Sequence, residues 1–150
     1  MLQFKYSSVI DAPVEVVWKF HERSDILKIL TPPWQPIQVV RRDGRLQIGS
    51  ITEFRLFLGF LPLTWLARHT EYEEFRLFTD EQMSGPFEFW KHKHIFEPEG
   101  EKTRLTDEIY FSLPGGDAAD LMAGWLVQMQ LDAMFRYRHQ ITKRECERKA

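Results

Sequence analysis

The chain has 150 residues, which is enough for one domain with a sizeable core. With 43% hydrophobic and 28% charged residues, it has the composition of a folded globular protein and not of a disordered one. The formal net charge of −2 gives no reason to expect a nucleic-acid partner. The single cysteine, Cys146, excludes an intramolecular disulfide and a zinc site built from several cysteines. Aromatic residues are the unusual component, because 12 phenylalanines and 5 tryptophans are enough to line a hollow core.

The first residues and one apolar stretch indicate where in the cell the protein is expected and whether it enters a membrane. Residues 1–13 lack the basic start and apolar run of a secretory signal, so we expect a cytoplasmic protein. Residues 54–67 are mostly apolar but contain Arg55, Gly59 and Pro62. That stretch is shorter than the roughly 20 residues of a spanning helix, so we expect no stable membrane insertion.

A strand and two short helices are predicted first. Residues 4–10 are rich in strand-forming types, and this run ends at Asp11-Ala12-Pro13. Pro13 suits the first turn of a helix, and the residues after it form one apolar face at spacings of three and four. That face consists of Val14, Val17, Trp18 and His21. Ser24 can cap a second short helix that ends at Leu30, because two prolines follow closely.

Six strand-like runs and one long helix complete the chain. The runs are Ile37–Arg42, Ser50–Leu58, Leu63–Glu73, Leu77–Met83, Phe87–Glu97 and Arg104–Leu113. Short connections rich in glycine and proline separate them, which is typical of hairpins in an antiparallel sheet. After Gly116 no helix breaker occurs, so we predict one helix of about 30 residues with an apolar stripe wide enough to cover the sheet. The order predicts a single α+β domain over residues 1–150, with a curved sheet of about seven strands around the long C-terminal helix.

Several strings, taken with this order of elements, resemble one protein superfamily. Asp11-Ala12-Pro13 followed by Val17-Trp18 is similar to its opening strand-to-helix turn. More specific strings resemble a bacterial branch, and they are Leu30-Thr31-Pro32-Pro33-Trp34, Gly85-Pro86-Phe87, Trp90-x-His92-x-His94-x-Phe96 and Thr103-x-Leu105-Thr106-Asp107. The superfamily is that of the START-related, birch-pollen-allergen-like proteins, which includes polyketide cyclases and lipid-transfer proteins.

The resemblance extends over nearly the whole chain and implies the helix-grip fold. It also implies an internal cavity for a small hydrophobic or lipid-like molecule, or a cyclase or dehydratase activity. Some relatives carry such a domain fused to a nucleotide-sugar-epimerase-like domain. The resemblance defines the fold more closely than the function.

The run Phe87–Glu97 carries the residues of greatest chemical interest. Side chains alternate between the two faces of a strand, and Lys91 and Lys93 share one face. Because lysines prefer water, the opposite face is expected to point inward. That face consists of Trp90, His92, His94 and Phe96.

The neighbouring strands would bring carboxylates to this face. If Phe96 pairs with Thr103 across the following turn, His92 lies opposite Asp107. On the preceding strand Asp80 would lie near His92. We therefore predict a histidine between two carboxylates on a mostly apolar wall, although a shift of two residues in the pairing keeps the same faces inward.

Three roles are open to this cluster. His92 with Asp107 or Asp80 can act as a general acid or base, since a carboxylate orients the ring and stabilises its charged form. The same groups can hydrogen-bond to an apolar ligand and orient it. They can also satisfy one another inside a filled core. A His-x-His metal site completed by His69 or Asp80 is a further alternative, while the main prediction includes neither a metal nor another cofactor.

We expect the ligand, a small hydrophobic molecule, to contact rings of the sheet and one face of the long helix. The predicted contacts are Trp65, Gln82, Trp90, His92, His94, Phe96, Phe111, Met122, Trp125 and Met129. The turns Gly59–Pro62 and Ser84–Phe87 would frame the entrance. His21 and His139 are expected at the surface or its boundary, and Arg138 within a solvated basic helix end. The sequence is compatible with a homodimer.

Overall fold

The computed structural model describes residues 1–148, with the side chain of Leu58 left out. In chain order the elements are β1 (Leu2–Ile10), α1 (Val14–His21), α2 (Ile26–Leu30), β2 (Ile37–Asp43), β3 (Ile51–Leu58), β4 (Leu61–Glu73), β5 (Leu77–Ser84), β6 (Phe89–Glu99), β7 (Lys102–Ser112) and α3 (Gly116–Cys146). The α+β class, the seven strands, the two short helices and the long helix are confirmed. Within residues 1–148, no helix has both the length and the apolar character needed to cross a membrane.

All seven strands form one antiparallel sheet in the order β1-β7-β6-β5-β4-β3-β2. Strands β2 to β7 follow one another as a meander, whereas β1 pairs with β7 at the opposite edge from β2. The segment with α1 and α2 therefore connects the two edges of the sheet. Strand β6 lies near the middle, so the histidines it carries have strands on both sides.

Two groups of buried rings and aliphatic side chains make up the core. The first core cluster is built around Trp18 of α1, whose ring packs edge-on against Phe78 and Phe96 at centroid distances of 5.8 and 4.9 Å. The second core cluster contains Trp65, Trp90 and rings of β1, β7 and α3. Apolar periodicity in the sequence supplies both clusters, because each takes alternate residues of a strand or every third to fourth residue of a helix.

Helix α3 is buried mainly along its second half, while Asp120 and Gly124 are the buried residues of its first half. The buried positions of the second half include Leu131, Phe135, His139, Thr142 and Cys146, which follow one another at spacings of three or four residues. The first half instead exposes Leu121, Met122, Trp125, Leu126 and Met129. The helix packs mainly on β1, at the edge of the sheet.

The pairing of β6 with β7 differs from the predicted register by two residues. Phe96 pairs with Leu105, His94 with Asp107 and His92 with Ile109. The cause is the position of the turn: Glu99 pairs with Lys102, so the two-residue turn is Gly100-Glu101, one residue later than the Glu99-Gly100 turn that the predicted pairing requires. Gly100 adopts a φ of 62°, which suits glycine and allows this tight turn. The expected pairing of Asp80 with His92 is confirmed.

We predict that Trp18→Ala destabilises the fold strongly. Trp18 is 1% exposed, and truncating a buried tryptophan costs about 3–5 kcal/mol because a cavity remains. Trp125→Ala is the matched control, since Trp125 is 58% exposed and the change should cost less than about 1 kcal/mol. Urea denaturation followed by circular dichroism measures both free energies of unfolding. Equal losses in the two variants would show that Trp18 does not hold the first core cluster together.

Candidate functional site

Five ionisable side chains from four elements meet beneath α3. Asp80 lies on β5, His92 and His94 on β6, Asp107 on β7 and His139 on α3. His92 and His94 are two residues apart on a strand and therefore point to the same face, with their ring centroids 3.7 Å apart. His94 stacks on Phe78 of the first core cluster at 4.0 Å, and His92 packs edge-on against Phe135 of the second at 5.2 Å. The polar groups thus lie where the two core clusters approach one another.

Asp107 lies at the centre of this polar group. Its Oδ1 accepts a hydrogen bond from His92 Nε2 at 2.7 Å and lies 3.2 Å from His94 Nδ1. Its Oδ2 is 2.6 Å from His139 Nε2. Asp107 and the three histidines are buried or nearly so. The carboxylate therefore has three ring nitrogens within 3.2 Å.

Asp80 adds a second carboxylate on the other side of the histidines. Its Oδ2 lies 2.9 Å from His94 Nε2 and 3.9 Å from His92 Nδ1. Both ring nitrogens of His94 therefore face carboxylate oxygens, which is the arrangement of a doubly protonated imidazolium. His92 has only one short contact to a carboxylate, through Nε2. Its Nδ1 is left with a lone pair when Nε2 carries the proton.

The pKa values shift in the directions that these contacts predict. Burial by itself would raise the pKa of Asp107, but hydrogen bonds from His139, His92 and His94 outweigh it and hold that pKa well below the usual range. Burial would also raise the pKa of Asp80, but the hydrogen bond from His94 and the charges of the nearby histidines outweigh it, and the pKa falls to about 2. Burial lowers the pKa of His94, yet the two carboxylates outweigh it and raise the pKa overall. For His92, burial and the charge of His94 dominate and lower the pKa.

The same atoms form a potential metal site. Asp80, His92 and His94 each offer one ligand atom, and the three atoms lie within 4.8 Å of one another. Asp107 would hold the remote nitrogens of both histidines, as outer carboxylates do at metal centres. A metal ion would have to replace the proton between His94 and Asp80. His69, the other predicted ligand, instead uses Nδ1 to contact the Leu46 carbonyl at 2.7 Å and stacks on the face of Phe78.

A cavity of about 420 Å³ lies beside the cluster, between the sheet and α3. Its walls include Asp80, His92 and His94 together with Trp65 and Trp90. Helix α3 contributes Val127, Gln130, Leu131, Met134, Phe135 and Arg138. Trp34, which is 59% exposed, and the exposed Arg45 also belong to the lining, so the cavity reaches the surface beside α2 and the end of β2.

The chain matches the family model described as polyketide cyclase/dehydrase and lipid transport over residues 10–135. The chain belongs to this family. Its match covers well over half of the sequence, and it agrees with the resemblance noted from the motifs. No curated protein matches the chain.

Solved structures similar to this polyketide cyclase/dehydrase-family chain share its fold. A protein of Thermus thermophilus is 18% identical, with 97% of each chain covered and a TM-score of 0.74. The nucleoside-diphosphate sugar epimerase of Corynebacterium glutamicum is 30% identical over 96% of this chain, which corresponds to 28% of the epimerase chain, with a TM-score of 0.70. The Zhui aromatase/cyclase of Streptomyces sp. R1128 is 15% identical, with 97% of this chain and 90% of that chain covered and a TM-score of 0.65.

Several predicted ligand contacts of this family member lie elsewhere. Met122, Trp125 and Met129 are wrong as cavity residues, because they are 78%, 58% and 63% exposed on the outer face of α3. The apolar stripe of the helix is broader than the sheet can cover. Periodicity identifies the whole stripe and does not show which of its residues remain exposed. Of the two turns expected to frame the entrance, Gly59–Pro62 does not line the cavity, and its Phe60 is 96% exposed, whereas Phe87 of the second turn does line it.

Three further predicted contacts have structural roles. The Gln82 side chain hydrogen-bonds to both backbone groups of Phe87 and so closes the β5–β6 turn instead of lining the cavity. Phe96 lies in the first core cluster and Phe111 in the second, and both are fully buried away from the cavity lining. Trp65, Trp90, His92 and His94 line the cavity, and their contact with a ligand stays a prediction.

Two residues beside the cavity lie where the sequence patterns did not predict them. His139 was expected near the surface, but it is 2% exposed and bonded to Asp107. Arg138 was expected in a solvated helix end, but it lines the cavity. The available signal was spacing, because His139 follows Phe135 by four residues and precedes Thr142 by three on the buried face.

His21 provides a pH test of the buried histidines. It is 6% exposed and lines the cavity, and burial lowers its pKa to about 4, although Nδ1 contacts the Val17 carbonyl at 2.8 Å. Between pH 4 and 6.5 the unfolded chain binds a proton that folded His21 does not, so the free energy of unfolding must rise with pH in this window. One such proton contributes at most about 1.4 kcal/mol per pH unit.

We predict that His21→Leu flattens this dependence. The wild-type free energy of unfolding should increase from pH 4 to pH 6.5, and the slope should be smaller in the variant by up to about 1.4 kcal/mol per pH unit. Urea denaturation at a series of pH values measures both slopes. Residual slope in the variant belongs to His92 and His69, whose pKa values are also lowered by burial, and near pH 4 to Asp80 and Asp107, whose pKa values are lowered by their histidine partners. Identical slopes would mean that folding does not lower the pKa of His21.

Proposed function

We propose that the protein binds a small, largely apolar molecule in the cavity between the sheet and α3. The supporting observation is the cavity itself, which has a volume of about 420 Å³ and walls of aromatic and aliphatic side chains with a few polar groups. Natural ligand sites have this combination of an apolar body and a small number of placed hydrogen-bonding groups. The family description, which joins cyclases and dehydrases with lipid transport, agrees with such a ligand.

The polar cluster gives this cavity a means of orienting its ligand. His92 and His94 line the wall, and Asp107 behind them fixes which ring nitrogen carries a proton. The Nδ1 atom of His92 has no partner closer than 3.9 Å among the ion pairs of residues 1–148. A ligand hydroxyl can donate a hydrogen bond to this nitrogen.

We predict that filling the cavity blocks binding. Ala67 is buried between Trp65 and His69 on β4 and lines the cavity, so Ala67→Phe places a ring in the ligand space. N-Phenyl-1-naphthylamine, a neutral probe that fluoresces in apolar surroundings, should bind the wild type saturably and the variant about ten-fold more weakly or worse, because overpacking costs about 1–3 kcal/mol.

Ala133→Phe is the matched control for this experiment. Ala133 is exposed on α3, so the same added ring leaves the cavity unchanged and the probe should bind as in the wild type. Native mass spectrometry of the purified protein adds an independent view, since a co-purified apolar adduct supports the proposal. Equal probe affinity in wild type and Ala67→Phe, with both folded by circular dichroism, would show that the cavity is not the binding site.

We predict that His92→Phe selectively weakens ligands that carry a hydroxyl group. Phenylalanine fills the ring volume without hydrogen-bonding, so 2-naphthol should lose about five-fold in affinity, which corresponds to about 1 kcal/mol, while naphthalene should bind unchanged. Titration calorimetry gives both affinities. If the variant instead unfolds readily while folded molecules keep their affinity for 2-naphthol, the histidine cluster serves stability only.

Acid–base catalysis is the second candidate, and the charge states of the histidines favour it. Burial and His94 lower the pKa of His92, which is therefore neutral at neutral pH and held by Asp107 in one tautomer. Such a ring next to an apolar cavity can remove a proton from a bound carbon acid. His92→Phe would abolish turnover in that case, whereas a purely orienting histidine would affect only the affinity.

A further inference from the structure

Arg138 is the unexplained charge of the cavity wall. It lies on the buried half of α3, directly before His139, and its guanidinium carbon lies 5.2 Å from the centroid of the Phe135 ring. Its Nε is shielded from solvent and has no hydrogen-bond partner among residues 1–148. Within the same residues, no carboxylate oxygen lies within 4.0 Å of its guanidinium nitrogens, although fifteen other ion pairs satisfy that distance.

Arg138 is half-buried, and the shielded part of its guanidinium, the Nε, lacks the partner that a buried polar group requires. Arginine remains protonated in proteins, so its charge must be balanced by hydrogen bonds or by a counter-ion when water is removed. The two nearby carboxylates are already engaged, Asp107 by three histidines and Asp80 by His94. With His94 protonated, these two carboxylates keep one net negative charge. That charge attracts Arg138 from a distance but satisfies none of its N–H groups.

The rest of the lining makes the excess of positive charge larger. Arg42 and Arg45 also line the cavity, whereas Asp80 is the only carboxylate in its lining among residues 1–148. Arg42 donates through Nη1 to the backbone carbonyls of Arg23 and Ser24, so its position is fixed without neutralising its charge. Arg138 and Arg42, together with the exposed Arg45 where the cavity reaches the surface, outnumber the single carboxylate of the lining, and this excess of positive charge favours an anion.

We propose that the ligand of this cavity is an apolar molecule with a carboxylate group, and that Arg138 is the residue that pairs with this carboxylate. The inference rests on the proposed binding function and specifies the class of ligand. A guanidinium presents two parallel N–H donors that match the two oxygens of a carboxylate. The aromatic wall around Trp65 and Trp90 then receives the apolar part of the molecule.

The chemistry of the wall favours a monoanion over a phosphate. Phosphate sites in proteins combine several donors, usually backbone N–H groups at the start of a helix or in a glycine-rich loop. The lining of this cavity contains side chains of the strands, of α1 and α2, of the loops beside them and of residues 127–138 of α3, which are far from the first turn of α3 at Gly116. One uncompensated guanidinium next to apolar rings fits one carboxylate.

A matched pair of ligands tests the inference. 2-Naphthoate and 2-naphthamide have the same ring system and nearly the same shape, but only the first is charged at neutral pH. Titration calorimetry should show that the wild type binds 2-naphthoate about ten-fold more tightly, the ratio expected for a hydrogen-bonded charge pair. In Arg138→Met this preference should disappear while the affinity for 2-naphthamide stays within about two-fold, because methionine keeps much of the apolar stem.

Two further variants control for folding and for general charge. Arg136→Met removes an exposed arginine two residues away that pairs with Asp132, so the preference for 2-naphthoate should persist. Arg138→Lys keeps the charge without the paired donors and should retain part of the preference. If Arg138→Met fails to fold by circular dichroism, the reduced preference in Arg138→Lys carries the test.

The possible failures are distinguishable. If N-phenyl-1-naphthylamine binds the wild type but 2-naphthoate has no advantage over 2-naphthamide, the carboxylate inference is wrong and the binding function stands. If the preference persists in Arg138→Met, Arg138 is not the counter-ion and the assignment is overturned. If the neutral probe does not bind at all, the proposed function itself fails, and the inference fails with it.

Discussion

The carboxylate of Asp107 is the interaction on which the rest of the site depends. It accepts hydrogen bonds from His92 and His94 of β6 and from His139 of α3, and so ties the long helix to the centre of the sheet. A buried carboxylate without such donors would be strongly destabilising, since removing a charge from water costs more than one hydrogen bond returns. The histidine N–H donors stabilise the buried negative charge, and this charge in turn determines which nitrogen of each ring is protonated.

The same arrangement gives two neighbouring histidines different charge states. His94 faces a carboxylate through each nitrogen, so its positive form is favoured. A second imidazolium at a ring distance of 3.7 Å would repel it in a medium of low dielectric constant, and His92 therefore stays neutral. The protons of such a cluster belong to the group as a whole. One ring consequently neutralises a carboxylate while its neighbour offers a lone pair to the cavity.

Sequence patterns predicted the order of elements and the inward face of β6, because alternation with Lys91 and Lys93 is unambiguous. They failed where the position of a turn decides the outcome, because a turn of equal length that begins one residue later shifts the strand pairing by two residues. Because of the two-residue turn at Gly100, the strand partner of Asp107 is His94 and not the predicted His92. The His92 side chain still hydrogen-bonds to the same carboxylate. The long helix was harder, since apolar residues occur on most of its circumference and tertiary contacts with β1, β7, α1 and α2 decide which part is covered. His139 was therefore expected at the surface or its boundary, and Arg138 within the basic helix end.

Two energetic costs coincide in this molecule. A cavity leaves the atoms of its wall without neighbours and reduces stability, as the removal of core side chains does. A half-buried arginine beside that cavity, with its Nε shielded from solvent and unpartnered, adds the cost of an unsatisfied polar group next to a charge. Filling the space with larger side chains would remove the first cost but increase the second, because more apolar surface would surround the guanidinium. A ligand with an apolar body and an acidic group relieves both costs at once, and binding it would stabilise the folded state.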